Sequence, residues 1–512
     1  MFPYITHLVG KKQNIAYNLR IKPMKAILSE IPQEVANAAG ELKNAGFEAY
    51  LIGGCVRDLL LHRNPKDWDI TTNALPEQIQ ALYPHTFYEN SYGTVGVVND
   101  LVEEENLKVI EITPYRVEST YTDNRRPDAV EFSQNLDDDL KRRDFTINAI
   151  GLDPFKGQLV DLYKGQEDLQ AKIIRTVGSP TERFSEDALR MLRAVRLACE
   201  LQFTIEPATE QGIIENAALL KHISKERIRD EFSRILLSNN PKLGLELAHK
   251  VGVLKYISPE LEKGIGVEQG GAHSYDVWEH LVRSVQHTAD KKWPLEVRIA
   301  ALFHDIGKPA TRRKGEAKWT FYGHDVVGAK LTKKILTDLK FPQKTIEQVV
   351  KLVRWHMFFS DTETITHSAV RRLIANVGQE NVWDLMDLRV ADRVGTGRPK
   401  ENPYRLRKYQ AMIEEVMTDP VSVAMLKIDG KGIMEATGEK PGPKIGYTLH
   451  ALLEEVIENP LLNTPEYLAE RAQKLIALSE EELKALGEKG KNIKEQEEEK
   501  QVEGIRKKYF VE

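Results

Sequence analysis

The hydrophobic period of this chain changes abruptly near its first third, and that change limits the folds open to it. From Phe47 to about Leu162 short β-rich runs (EAYLIGG, VGVV, KVIEIT, AVEF) are bounded by Gly, Asn, Asp and Pro. Helical patterning in that stretch is confined to Leu75–Tyr83 and Asp139–Ile150. After Gly178 the sequence reads as helix almost throughout: Ser185–Glu200, Glu210–Leu220, Lys225–Leu237, Pro241–Val251 and Val277–Lys291 are the first segments. The expected fold class is α+β, a mixed-sheet N-terminal domain followed by all-helical domains.

At 512 residues the chain exceeds one core, and roughly 100–200 residues per domain predicts about three to five domains. Breaks in the pattern fall near 160–178, at Gly264–Gly271 (GIGVEQGG) and at Gly395–Pro403 (GTGRPKENP). The two cysteines, Cys55 and Cys199, lie in apolar stretches without CxxC spacing. That excludes a disulfide framework and fits a reducing cytoplasm. No apolar run approaches the roughly 20 residues that cross a bilayer, and the N-terminus lacks a secretory h-region. The net charge of −5 leaves nucleic-acid binding to local basic patches: Arg142-Arg143, the series Arg190, Arg193, Arg196, and Lys225-Arg227-Arg229-Arg234.

The run Leu51-Ile52-Gly53-Gly54-Cys55-Val56-Arg57-Asp58 reads as strand, tight glycine turn, then helix. Glycines let the backbone approach a ligand, helix N–H groups face anionic oxygens, and Arg57 adds a cationic fork for phosphate. About ten residues later come Asp67-Trp68-Asp69, leading into the β-prone Ile70-Thr71-Thr72. On a strand the two carboxylates would share a face, where their repulsion is relieved by cations. Two Mg²⁺ ions suit that geometry and serve an in-line displacement at phosphorus. Glu111, interrupting the apolar run Val109–Thr113, is the candidate third carboxylate; the alternative is an outward-facing strand residue.

GGCVRD, DWD, KRRDFTINA (Lys141–Ala149) and EDALRMLRAVRLA (Glu186–Ala198), in this order, resemble the class II CCA-adding tRNA nucleotidyltransferase and bacterial poly(A) polymerase family. The resemblance is dense over Leu51–Leu237 and looser at the PGPKIG of Pro441–Gly446. It implies a nucleotidyltransferase head, a neck, a body and a tail. It assigns metal binding to Asp67 and Asp69, the triphosphate to Gly53, Gly54 and Arg57, and the sugar and phosphates to Arg143 and Asp144. Asp187 and Arg190, three apart and expected on one side of a helix, would read the Watson–Crick edge of C or A. A carboxylate only accepts hydrogen bonds and a guanidinium only donates them. Arg193 and Arg196 would help hold the nucleotide, with a structural role as the alternative for Arg196.

Arg116–Val130 has the length of the flexible loop that retains A addition, and Leu82–Thr86 lacks the arginines usual for a poly(A) polymerase there. The reading is therefore a CCA-adding enzyme acting on the tRNA 3′ end with CTP and ATP, needing no membrane and no stable protein partner. Poly(A) polymerase is the alternative.

Farther on, His304-Asp305 in ALFHDIGK, with His280, His324, His356 and Asp392, looks like the HD phosphohydrolase superfamily. His280, His304, Asp305 and Asp392 would hold one metal, and His324 and His356 would complete a second. Mixed imidazole and carboxylate ligation suits Mn, Fe, Ni or Zn better than Mg. The activity implied is phosphatase or 2′,3′-cyclic phosphodiesterase work on RNA ends, and its being the main activity is a further alternative. His273, His287 and His367 read as structural or surface residues.

The expected organisation is an N-terminal extension (1–23), the mixed-sheet head (24–160), a neck carrying the base template (161–224) and an RNA-binding body (225–270). An HD domain (271–402), a helical tail (403–478) and a charged C-terminal tail (479–512) follow.

Overall fold

The computed structural model describes residues 24–88, 93–100, 102–118, 130–270, 274–315, 319–358, 365–398 and 400–487. The N-terminal extension, His273, most of the Arg116–Val130 loop and the charged tail beyond 487 lie outside the described residues. The chain divides between Pro259 and Glu260 into two compact units.

The first unit carries the sheet. Its strands are β1 (Tyr50–Ile52), β2 (Asp69–Thr72), β3 (Thr86–Tyr88), β4 (Val95–Val98), β5 (Val109–Pro114), β6 (Arg116–Glu118), β7 (Val130–Phe132), β8 (Gly151–Leu152) and β9 (Leu159–Val160). Among the described residues seven of them form one sheet in the order β3-β4-β5-β2-β1-β8-β9, with β6 and β7 paired separately. The sheet is mixed: β2 runs parallel to β5 and antiparallel to β1. Strand β5 shows the two-residue period clearly, Ile110 and Ile112 being fully buried while Glu111 points to the other face. The parallel register sets Asp69 directly opposite Glu111.

Two expected helices are cut short. The Asp139–Ile150 segment is a helix only over Leu136–Lys141, followed by a single 3₁₀ turn at Thr146–Asn148. The Asp144 carboxylate takes the Phe145 N–H (2.8 Å) and the Thr146 N–H donates to the Arg175 carbonyl (2.9 Å), so local and long-range partners outbid the helix. The expected Ser185–Glu200 helix is two helices, Pro180–Glu186 and Leu189–Leu201, broken at Asp187. Asp187 has φ −138° and ψ 103°, extended backbone that ends the first helix, and its carboxylate accepts the Leu189 N–H at 3.0 Å just before the second begins. Asp187 and Arg190 therefore flank a helix start rather than lying along one helix side.

Helices Leu189–Leu201 and Lys225–Leu237 pack through apolar positions three and four apart, among them Ile228, Phe232 and Ile235 of the second. The second unit is helical. Its helices Val277–Asp290, Leu295–Phe303, His324–Asp338, Gln343–Trp355 and Val382–Gly395 carry the histidine–aspartate cluster or pack around it. Nearer the C-terminus, Leu426, Ile433, Leu452, Val456, Leu468 and Leu475 form a separate core. No helix among the described residues is long and apolar enough to cross a membrane.

Candidate active sites

The Gly53-Gly54 turn is the floor of the first site. Gly53 sits at φ +78°, a conformation that favours glycine, and a Cβ there would lie 2.9 Å from Arg143 Nη1 and 3.5 Å from Asp69 Oδ2. A Cβ on Gly54 would lie 3.7 Å from both Arg57 Nη2 and Asp67 Oδ1. The two aspartates, Arg57 and Arg143 thus surround one bare stretch of backbone. Asp69 opens β2 whereas Asp67 lies in the bend before it, so the pair meets at the glycine turn and not through strand alternation as expected. Trp68 between them is 2% exposed and anchors the bend. Glu111 lies beside Asp69 in register, and carboxylate oxygens such as these are the donor type that fits Mg²⁺.

Sequence reasoning missed the residues that organise these side chains. Asn148 accepts from Arg57 Nη1 (2.8 Å) through its amide oxygen and donates to Asp144 Oδ1 (3.0 Å) through its nitrogen. Arg193 Nη2 lies 2.7 Å from Asp144 Oδ2. A line of bonds therefore joins the glycine turn to the Leu189–Leu201 helix. The fully buried Asp139 holds Arg142 and Arg143, 2.5 and 3.1 Å away. Both Asn148 and Asp139 lie in or beside KRRDFTINA, so motif membership was their available signal.

Burial would raise the Asp144 carboxyl, but Arg193 and the Asn148 amide hold it below the usual carboxylate range. An aspartate depressed in the folded state adds stability that is complete above its unfolded value of about 3.9 and is lost as pH falls through the folded one. Denaturant unfolding between about pH 6 and about pH 3 is expected to show a shallower loss of stability for Asp144→Asn than for the unaltered protein. Equal slopes would remove Asp144 from the account.

The Asp187 carboxylate is gripped by Arg227, at 2.7 Å from Nη2 and 3.2 Å from Nη1. Arg190 is 9% exposed and donates to Glu186 (2.5 Å) and to the carbonyls of Arg142 (3.1 Å) and Arg183 (3.2 Å). The two are thus positioned separately; Arg227 was read only as part of a basic patch and Glu186 only as a motif residue, and their hold on Asp187 and Arg190 was not foreseen. Arg196 donates to Glu231 (2.7 Å) and Glu200 (2.9 Å), tying helix Leu189–Leu201 to helix Lys225–Leu237, which is the structural alternative for this residue.

The second site is the buried cluster of His280, His304, Asp305, His324, His356 and Asp392. Asp305 stands in the middle. Its Oδ2 is 3.2 Å from His280 Nε2 and 3.4 Å from His304 Nε2, and its Oδ1 is 3.2 Å from His324 Nε2 and 3.6 Å from His356 Nε2. Asp392 Oδ1 joins the first pair at 3.4 and 3.6 Å.

The Nδ1 atoms of His304, His324 and His356 face the carbonyls of Ala301 (2.9 Å), Phe321 (2.7 Å) and Val353 (2.7 Å). Donation there fixes the tautomer that leaves Nε2 as a ligand. Burial lowers His304, but Asp305 and Asp392 push it up to about 10, while burial pushes His356 down to about 4. The ligand atoms of His280, His304 and Asp305 lie within 4.8 Å of one another, as do those of Asp305, His324 and His356, and these mixed imidazole and carboxylate donor sets fit divalent cations. Lys308, bonded to both Asp305 and Gln269, and Arg389, bonded to Asp392, complete the surroundings and were not foreseen. His287 packs against Trp293 and His367 pairs with Glu415 at the surface, away from any ligand role.

Close packing at Gly307 seats this cluster: a Cβ there would fall 2.2 Å from the His324 carbonyl and 2.7 Å from the Gly328 nitrogen. Gly307→Ala is expected to lower stability by about 1–3 kcal/mol through overpacking. Thermal melting measures it, and an unchanged midpoint would show that the backbone yields there without cost.

Three family profiles match the chain: "Poly A polymerase head domain" over residues 49–175, "Probable RNA and SrmB- binding site of polymerase A" over 202–265, and "HD domain" over 270–397. The chain is 35% identical to the CCA-adding enzyme of Lactobacillus helveticus, over 83% of this chain and 92% of that one. It is 32% identical to the CCA-adding enzyme of Geobacillus stearothermophilus, over 85% and 95% of the two chains. Among solved structures, the Bacillus stearothermophilus CCA-adding enzyme in complex with CTP superimposes with a TM-score of 0.65 at 30% identity, covering 89% of this chain and 99% of that one.

Proposed function

This chain belongs to the family of CCA-adding enzymes, and from that premise we propose how its residues divide the work. The protein is a nucleotidyltransferase that adds CCA to the tRNA 3′ end from CTP and ATP. The observation that carries the site assignment is the gathering of Asp67, Asp69, Arg57 and Arg143 about the Gly53-Gly54 turn.

Asp67 and Asp69, with Glu111 beside Asp69, would hold two Mg²⁺ ions. When bound, these supply a lowered pKa for the RNA 3′-hydroxyl and charge balance for the departing pyrophosphate. Gly53 and Gly54 leave room for the triphosphate, and Arg57 and Arg143 offer it fixed donors. Asp144, held by Arg193 and Asn148, faces the ribose as acceptor. Arg190 and Asp187 read the base. U or G would present a donor and acceptor pattern mismatched to Arg190 and the half-buried Asp187, at about 1–3 kcal/mol per lost pairing. Arg190→Ala is therefore expected to reduce selection of CTP and ATP over UTP and GTP by roughly 5- to 150-fold. Unchanged selectivity in single-nucleotide incorporation would move base reading elsewhere.

We further propose that the histidine–aspartate cluster hydrolyses phosphoesters with Mn, Fe, Ni or Zn bound, the metal supplying activation of the attacking water. His280, His304, Asp305 and Asp392 form one ligand set, and His324, His356 and Asp305 the other. The working domain limits are those of the sequence reading: head 24–160, neck 161–224, body 225–270, HD domain 271–402 and tail 403–478. The proposed compartment is the cytoplasm, supported by burial of both cysteines as thiols.

The test is incubation of the protein with Mg²⁺, labelled tRNA lacking its CCA, and CTP and ATP singly and together. Extension that stops after C, C and A is expected. Long A tracts with ATP alone would favour a poly(A) polymerase.

A further inference from the structure

The order of strands about Asp69 gives the transferase site two sides. The sheet runs β3-β4-β5-β2-β1-β8-β9, so β1, which leads into the Gly53-Gly54 turn, lies on one side of β2, and β5, β4 and β3 lie on the other. In an in-line displacement the attacking hydroxyl and the departing pyrophosphate stand on opposite sides of the phosphorus. With the triphosphate at the glycine turn, the acceptor end comes in from the β5 side. There the pairing aligns one residue from each strand: Asp69 with Glu111, Glu111 with Gly96, and Gly96 with Phe87. Residues directly opposite one another share a sheet face, so this row leads from the carboxylates to an aromatic ring. Gly96 leaves a gap in the row and the ring fills it. A Cβ on Gly96 would lie 2.6 Å from Phe87 Cε1 and 2.9 Å from Cε2. With about 4.8 Å between strands, the ring is drawn in to one strand from Glu111 and two from Asp69. Phe87 is nevertheless 42% exposed, an apolar ring left open to solvent beside carboxylates assigned to metals.

Resting on the assignment of the metals to Asp67 and Asp69, we propose that Phe87 is the platform on which the 3′-terminal base of the RNA acceptor stacks. Stacking there turns the acceptor 3′-hydroxyl toward the carboxylates. The incoming base has its own partners in Asp187 and Arg190. Every nucleobase has a π-face, so an aromatic platform is indifferent to base identity. That suits an acceptor whose last base changes from one addition to the next. Fixed donors and acceptors would fit one terminal base and reject another.

The test is a cycle between protein and substrate, read as single-turnover CMP incorporation by the full chain at saturating CTP and saturating tRNA lacking its CCA. Phe87→Leu keeps an apolar cover over Gly96 without the ring, and Phe87→Tyr keeps the ring. Phe87→Leu is expected to slow incorporation roughly 5- to 150-fold, the range for loss of one stacked base. Phe87→Tyr should run close to the unaltered protein, and KM for CTP should not change in either. An acceptor whose terminal nucleotide lacks its base should slow the unaltered protein by a similar factor. On that acceptor Phe87→Leu should cost nothing further, because the partner of the ring is already gone.

Equal rates for Phe87→Leu and the unaltered protein, or reductions that multiply when the variant meets the abasic acceptor, would overturn the platform. So would a raised KM for CTP with an unchanged rate at saturation, which would give the ring to the incoming nucleotide. The abasic acceptor needs no variant, and its extension at full speed by the unaltered protein would overturn the platform even if Phe87→Leu failed to fold. The metal assignment fails on a different result, incorporation that survives Asp67→Ala, so the two readings are told apart.

Discussion

Asp67→Ala is expected to reduce CMP and AMP incorporation into tRNA by at least about a hundredfold, the scale on which a single electrostatic group acts at a transition state. The reason is local. A Cβ on Gly54 would sit 3.7 Å from Asp67 Oδ1, and one on Gly53 would sit 3.5 Å from Asp69 Oδ2, so both carboxylates border the turn assigned to the triphosphate. Alanine would remove one of these oxygen ligands and leave Asp69 and Glu111 to gather the cations. Retention of tRNA on a filter and hydrolysis at the histidine–aspartate cluster should both survive, because neither uses this carboxylate. Incorporation that persists near the original rate would mean that the metals, or the chemistry, lie elsewhere.

The second large effect is expected from Asp305→Asn. The two oxygens of Asp305 face different histidine pairs, His280 with His304 and His324 with His356. An amide keeps the shape but offers one neutral oxygen and a donor group that points at imidazoles. Metal content measured by plasma mass spectrometry should therefore fall at both positions, with phosphoester hydrolysis reduced by about a hundredfold or more. His356→Ala should empty only the His324–His356 position. CCA addition should be unaffected by either change, since Asp305 belongs to the other compact unit of the chain. Equal metal loss from Asp305→Asn and His356→Ala would replace two positions by one.

Much of the fold was legible because the hydrophobic period reports local geometry directly. Strand β5 alternates buried and half-buried positions over Val109–Pro114, and helix Lys225–Leu237 begins and ends where its pattern does. The breaks at Asp144 and Asp187 were not legible. In both places an aspartate carboxylate takes a nearby backbone N–H and stops a helix that the apolar spacing would extend. Spacing along the chain carries no record of which polar group will compete for the backbone.

The sequence by itself determined the chemistry available to this protein. Gly53-Gly54, Arg57, the Asp67/Asp69 pair and the order of the later motifs named a nucleotidyltransferase, and HDIGK with its distant histidines named the second cluster. Residue type and short-range order suffice for that, because donor and acceptor character belong to each side chain alone. Only the tertiary structure decided who holds whom: Asn148 between Arg57 and Asp144, Arg227 on Asp187, Glu186 on Arg190, and Asp305 between two histidine pairs. Most of these contacts join residues tens of positions apart. Their partners are chosen by how β1, β2 and β5 register and how the helices pack, since a buried charge must find its counter-charge among whatever neighbours the fold brings within about 3 Å.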